Sequence, residues 1–297
     1  MWVPATLNID ARTLAAIDDL SLLARTVVEG FISGLHRSPF LGYSTEFSAY
    51  RAYTQGDNLR HIDWKVWGRS DEFYVKQFED DTNLRCQIFL DTSASMDFGL
   101  DDANKFHYAR VLAAVLAEIM VRQHDAPGLI LFGEQARQAV PAHASRHHAE
   151  EIYHLLAGAQ ARGGTHVDQG LFRMAETLNR RGLAVVISDF FTSEDAARQL
   201  LRQLQAQNQE ILVFHVLAPE ELDLPYEGES IFEDLETQEQ IPVHTDDFRR
   251  EYQKRLQTFC DGLKRQCIDL EVDYELLRTD APLDVALTQY LERRAAV

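Results

Sequence analysis

An α/β fold built on a mostly parallel sheet is the architecture this sequence predicts, and three observations predict it. From Leu84 onward, short apolar runs rich in Val, Ile, Leu and Phe alternate with segments of helical periodicity, the pattern of strands covered on both faces and joined by crossover helices. One run, Cys86-Gln87-Ile88-Phe89-Leu90, ends in Asp91-Thr92-Ser93-Ala94-Ser95, and a second, residues 183–188, ends in Asp189. Side chains with ligand chemistry thus follow apolar strands, and the carboxyl ends of strands are where open parallel sheets bind ligands.

Ahead of the sheet, Leu14, Ile17, Leu20, Leu23, Val27, Val28 and Phe31 recur at steps of three and four, which predicts an amphipathic helix over residues 10–32. Residues 43–53 and 73–78 alternate as strands around the turn-like Gln55-Gly56-Asp57-Asn58 and predict a small β unit. The division falls near residues 80–83, so residues 1–82 are expected to form the amino-terminal helix and β unit, and 83–297 the sheet domain. Within that domain the order is a strand to Asp91, a helix over 103–124, a strand over 128–132 and a short antiparallel hairpin partner over 136–140. Helices then fit 146–159, 168–179 and 194–207, with strands at 183–188 and 211–217. Beyond Pro225 an acidic stretch reads as a polar hairpin inserted near 226–245, before a helix over 248–264, a strand over 270–276 and a helix over 283–293.

Composition narrows the class of function. The 297 residues carry 47 acidic against 29 basic side chains, a formal charge of −18; phosphate backbones and anionic membrane surfaces need a basic footprint, so broad nucleic-acid binding is excluded. Hydrophobic content of 45% beside 26% charged residues suffices for a chain that folds by itself. Cys86, Cys260 and Cys267 form neither an even set nor a Cys-x-x-Cys pair, which fits a reducing compartment. The first residues lack the basic and apolar regions of a signal peptide, and no stretch is apolar enough to span a bilayer. A cytoplasmic protein is expected.

Asp91, Ser93 and Ser95, with Thr165 after Gly163-Gly164 and Asp189 after its strand, supply five hard oxygen ligands from three loops. Such a set suits Mg2+ (or Mn2+), which takes one or two carboxylates in octahedral oxygen coordination. Asp-Thr-Ser-Ala-Ser reads equally as a helix cap leading into Asp101-Asp102-Ala103. With Thr165 and Asp189 in order on later loops, the motif resembles the metal-ion-dependent adhesion site (MIDAS) of the von Willebrand factor A fold. That resemblance implies a doubly wound, mostly parallel sheet with an antiparallel edge strand. It also implies that Ser93, Ser95 and Thr165 ligate directly while Asp91 and Asp189 hold coordinated water.

Upstream, Glu46-Phe47, Arg51-x-Tyr53, the run from Gly56-Asp57 through Arg60 and Ile62-Asp63 to Trp64, and Val75-Lys76-Gln77-Phe78-Glu79 resemble the signature of domain-of-unknown-function family 58. Members of that family are similar to partners of MoxR-type AAA+ ATPases. The implied function is a non-enzymatic, metal-dependent protein-binding module that acts with such an ATPase in chaperone-like assembly or maturation of client proteins, taking an acidic residue of a partner on its metal. Arg60, Trp64 and Trp67 serve either as ion-pair and packing residues of the β unit or as a partner-docking surface.

Two other classes compete. A phosphatase-like, metal-dependent hydrolase would place an acid two residues after Asp91, where Ser93 stands, and would lack its proton donor; a nucleophilic Ser93 or Ser95 would want a histidine, for which His166 is the candidate. A metal-free scaffold is the other. His147, Glu151 and His154 share one helix face and could be zinc ligands or a solvated stripe. Gly163-Gly164 is no phosphate-binding loop, so any ATP hydrolysis belongs to a partner.

Overall fold

The computed structural model describes residues 19–35, 49–52, 74–77, 84–99, 104–133, 138–163, 178, 181–235, 238–283 and 287. The chain divides into two compact units, Met1–Gly34 with Leu84–Val297, and Leu35–Asn83. In the smaller unit β1 (Ala49–Ala52) pairs antiparallel with β2 (Tyr74–Gln77), Ala49 opposite Gln77. Arg60, Trp64 and Trp67 lie outside the described residues.

Helix α1 (Leu20–Leu35) belongs to the larger unit. The sequence groups it with the β unit in residues 1–82, and the structure divides the chain differently for a physical reason. Leu23, Ala24, Val27 and Val28, one stripe at steps of one, three and four, are buried, and Arg25 and Glu29 on the outer side pair with Glu150 and Arg122 of that same unit. Asp19 starts the helix, its carboxylate accepting from the Ser21 and Leu22 amides.

The larger unit is built on β3 (Arg85–Asp91), β4 (Ala126–Phe132), β5 (Ala139–Val140), β6 (Gly182–Ser188), β7 (Gln209–Leu217) and β10 (Asp273–Arg278). Their order is β10-β7-β6-β3-β4-β5, parallel except for the β4–β5 pair. This is the doubly wound, mostly parallel sheet with one antiparallel edge strand that the sequence predicts. The chain leaves β3 toward β4 and later returns to β6 on the other side of β3, so the order reverses between β3 and β6, and a crevice opens at their carboxyl ends.

Helices cover both faces. α2 (Lys105–Arg122) is buried nearly all round; its Ala-rich surface lets it lie between the sheet and α3 (Arg146–Gly158). Opposite, α4 (Glu194–Ala206) sets Ala197, Leu200, Leu201 and Leu204 against Phe89, Val186 and Val213, and α6 (Thr245–Asp269) adds Leu263 and Cys267. Truncating such a core leucine to alanine costs about 2–5 kcal/mol. Between β7 and α6 come the short helix α5 (Pro219–Asp223) and the antiparallel hairpin β8 (Glu229–Glu233) with β9 (Gln240–His244).

The junction of α6 and β10 differs most from the sequence expectation. α6 runs on to Asp269, and β10 starts at Asp273 rather than at residue 270. Leu270 closes the helix, Glu271 takes a left-handed φ of 52°, and the Val272 amide returns to the Cys267 carbonyl; the apolar Leu270 and Val272 that mimic a strand belong to this terminating turn. The helices expected over 168–179 and 283–293 fall mainly outside the described residues. No described helix is long and apolar enough to cross a membrane, and all three cysteines are free and buried.

Candidate metal centre

At the end of β3 the Asp91 carboxylate is buried. One oxygen accepts from the Ser93 amide at 2.9 Å, the other from the Ser188 hydroxyl at 2.5 Å. Thr92 crosses to β4, its amide and hydroxyl both donating to the Phe132 carbonyl at 2.7 and 2.8 Å. The next turn is tied to a second loop: the Ala94 amide donates to the Gly163 carbonyl at 2.7 Å and the Arg162 amide to the Thr92 carbonyl at 2.8 Å. Gly163 has a φ of 73°, a left-handed conformation that glycine adopts without strain. Thr165 lies outside the described residues.

The two serine hydroxyls face each other, Ser93 Oγ to Ser95 Oγ at 3.0 Å. They do not cap α2. Ser93 precedes a single 3-10 turn (Ala94–Asp97) without a side-chain capping bond, and the cap of α2 is Asn104, whose Oδ1 accepts from the His107 amide at 3.0 Å.

From β6, Asp189 stands buried beside Asp91, one oxygen accepting from the Phe191 amide at 3.1 Å and the other from Lys105 Nζ at 2.6 Å. Lys105 donates as well to Glu221 Oε1 at 2.6 Å, and Glu221 Oε2 accepts from the Ala218 amide at 2.8 Å. The ammonium is fully buried, with the rings of Phe191 and Phe98 at 4.8 and 5.7 Å. Beneath it, His215 Nε2 donates to the Asp189 carbonyl at 3.0 Å, and Nδ1 accepts from the Tyr274 hydroxyl at 2.8 Å.

Burial and charge set the protonation of these groups. Desolvation, then the Asp189 charge, lifts the Asp91 carboxyl to about 7 against the bonds from Ser188 and Ser93. Desolvation would discharge Lys105, but Asp189 and Glu221 outweigh it and hold its pKa above the ordinary value. Glu221 is nonetheless raised, burial exceeding the help of Lys105: one cation shared between two carboxylates does not fully compensate both. Desolvation lowers His215 to about 4, so the ring is neutral, in keeping with its acceptor Nδ1.

Two acids therefore share one ammonium, and a third, Asp91, lies beside Asp189 and makes no ion pair among the described residues. Two carboxylates and two hydroxyls at one strand crevice are a hard-oxygen donor set, which fits a small divalent cation. No three His, Cys, Asp or Glu side chains converge as a metal cage among the described residues. In particular His147 and His154 are exposed, while His148 meets Glu151 at 3.3 Å and the His143 ring at 5.6 Å.

Of the residues singled out from sequence, Asp91, Ser93, Ser95 and Asp189 stand at the adjoining ends of β3 and β6. Sequence reasoning missed Lys105, Ser188, His215 and Glu221. Two left a signal: Lys105 is a cation at the head of a helix whose other residues are largely apolar, and His215 interrupts the run Ile211-Leu212-Val213-Phe214 with Val216-Leu217. Glu221 left none, since it is one acid among several.

The profile of the family described as "Protein of unknown function DUF58" matches residues 49–258. The uncharacterized protein Rv1480 of Mycobacterium tuberculosis is 31% identical over 233 residues, 77% of this chain and 72% of its own length. The uncharacterized protein Mb1516 of Mycobacterium bovis aligns with the same values. Among solved structures, the conserved hypothetical protein BatB from Bacteroides thetaiotaomicron superposes with a TM-score of 0.47 at 17% identity, covering 72% of this chain and 100% of that one. An aerotolerance-related membrane protein from Bacteroides fragilis gives 0.46 at 19% identity, covering 71% of this chain and 99% of its own. The SpRpn10 VWA domain gives 0.39 at 14%, covering 71% and 95%. On the profile match and the mycobacterial relatives, the chain belongs to the DUF58 family.

Proposed function

We propose that this chain is a non-enzymatic, metal-dependent protein-binding module of the cytoplasm, acting with a MoxR-type AAA+ ATPase in chaperone-like assembly or maturation of client proteins. One observation carries the metal reading: Asp91 is buried against Asp189 with no cation of its own among the described residues, while the ammonium nearby is committed to Asp189 and Glu221. Buried net negative charge of this kind is costly unless compensated. Ser93, Ser95 and Thr165 would hold Mg2+ or Mn2+ directly, with Asp91 and Asp189 acting through water. When bound, that ion supplies a Lewis-acidic position for a partner's carboxylate.

The chain's own residues prepare the place. The bonds from Ser188 and the Ser93 amide fix the Asp91 carboxylate, Lys105 and the Phe191 amide fix Asp189, and Ser95 lines an open cavity through which a partner can reach. His215 does not serve as the base of a nucleophilic serine: its ring nitrogens are bonded to Tyr274 and the Asp189 carbonyl, while His166, the other candidate, lies outside the described residues. Three free cysteines support a reducing compartment, and the family-58 signature supports the ATPase partner.

The test is a melting series in Mg2+ or Mn2+ against chelator, followed by capture of a MoxR-type ATPase under both conditions. A metal-dependent rise in melting temperature and metal-dependent capture are expected. Flat melting together with capture that ignores the chelator sinks the reading. Turnover of generic phosphate or acyl esters, lost in Asp91→Ala, would make the protein an enzyme instead.

A further inference from the structure

We infer that the groove between the 91–95 turn and the β8–β9 hairpin receives a partner segment in which an apolar residue is flanked by Lys or Arg. The inference deepens the proposed function and rests on its partner carboxylate. The groove is a cavity of about 430 Å3 that reaches from Ser95 of the candidate metal centre to the hairpin, a size ordinary for a recognition pocket.

Its walls are apolar where they face inward. Phe98 and Phe191, the rings that cover Lys105, form one side. Phe232 and Ile241 form the other; they are directly paired across the hairpin, so their side chains share one face. Phe232 is braced by an edge-on contact with Tyr226 at 5.7 Å, whereas Ile241 is 58% exposed. An isoleucine so open beside a seated phenylalanine leaves apolar surface for a partner to cover.

The rim is acidic. Extending the same register by one step sets Asp234 opposite Glu239, two positions along from Phe232 and Ile241 and therefore on the same face, and Glu233 also lines the cavity. Among the described residues that line the groove none is Lys or Arg, because Lys105 lies behind the two rings and faces Asp189 and Glu221. A segment that brings only a carboxylate toward Ser95 meets this rim as repulsion, whereas one that brings cations beside its apolar residue meets it as complement.

The experiment uses two fluorescein-labelled peptides, identical except for a core of Lys-Leu-Asp-Lys in one and Glu-Leu-Asp-Glu in the other. Binding to the full chain is followed by polarisation in Mg2+ and in chelator, for the natural protein and for the double substitution Glu233→Lys with Glu239→Lys, whose melting is checked first. On the order of tenfold preference for the lysine-flanked peptide is expected, reversed in the double variant. Equal binding of the two peptides, absence of binding to both included, overturns the groove, as does a preference that the double variant leaves unchanged. A preference that persists undiminished in chelator keeps the groove and overturns the metal reading, so the two ideas fail separately.

Discussion

The crevice at the ends of β3 and β6 and the β8–β9 hairpin border the same groove, and both are rich in acidic side chains, yet they use them in opposite ways. In the crevice Asp91, Asp189 and Glu221 are buried, each carboxylate oxygen fixed by an amide, a hydroxyl or the one ammonium. On the hairpin Glu229 and Glu233 bracket Ile231 and Phe232, and Asp234 and Glu239 stand next to the strand ends, all four acids open to solvent. The difference teaches that a carboxylate's role follows from its solvation. Out of water it must be compensated and so specifies a cation; in water it costs little and can select a partner by charge.

If that contrast is right, changes in the crevice should act on stability and changes in the hairpin on binding. The largest effect is expected from Lys105→Met, which strands Asp189 and Glu221 without their ammonium. A loss of about 3–5 kcal/mol in denaturant unfolding is expected, with part of it restored when Glu221→Gln is added; an unchanged midpoint would break the comparison at its strongest point.

Next comes acid. His215 is held near 4 against an ordinary 6.5. Because the folded value is depressed, its contribution is present above pH 6.5 and lost as the pH falls toward 4, about 3 kcal/mol in all. Asp91 works in the opposite sense: its folded value is raised to about 7 from 3.8, so protonation stabilises the fold as the pH drops through that window. The informative quantity is therefore the gap between the natural protein and His215→Gln, which should shift against the natural protein by about that amount from pH 7 to pH 4 in paired unfolding curves.

Metal is expected to act on a slightly smaller scale. At one hundred times its dissociation constant, Mg2+ or Mn2+ should stabilise the chain by about 2.7 kcal/mol, and Ser93→Ala or Thr165→Ala should remove the shift in a melting series. The smallest effect belongs to the hairpin: Ile241→Ser, at a side chain 58% exposed, should change stability by no more than about 0.5 kcal/mol. A large loss there would mean that the hairpin is part of the core rather than a surface laid over it.

Much of the fold can be read in the chain because its period is local. The apolar runs that end at Asp91 and Ser188 are strands buried on both faces, and their composition alone marks them. The 270–276 segment shows the limit of that reading: Leu270 and Val272 alternate as in a strand, but the left-handed Glu271 and the Val272 bond back to Cys267 turn them into the end of α6. The helix expected over residues 10–32 shows another, since an amphipathic stripe announces a helix without saying which surface it covers, and burial of Leu23 and Val27 assigns α1 to the sheet unit.

At the candidate metal centre the same division holds. Asp91, Ser93, Ser95 and Asp189 could be picked out because hydroxyls and acids directly after an apolar strand are visible as a pattern along the chain. Lys105 and Glu221 are separated by 116 positions and meet at 2.6 Å only because the start of α2 and the short α5 come together beside Asp189 at the end of β6. The sequence by itself determined the strand-and-helix alternation, the acidic balance and the chemistry of the donor loops, all of which depend on near neighbours. Only the tertiary structure decided how the charges pair, because strand order and helix packing bring together groups that no spacing along the chain relates.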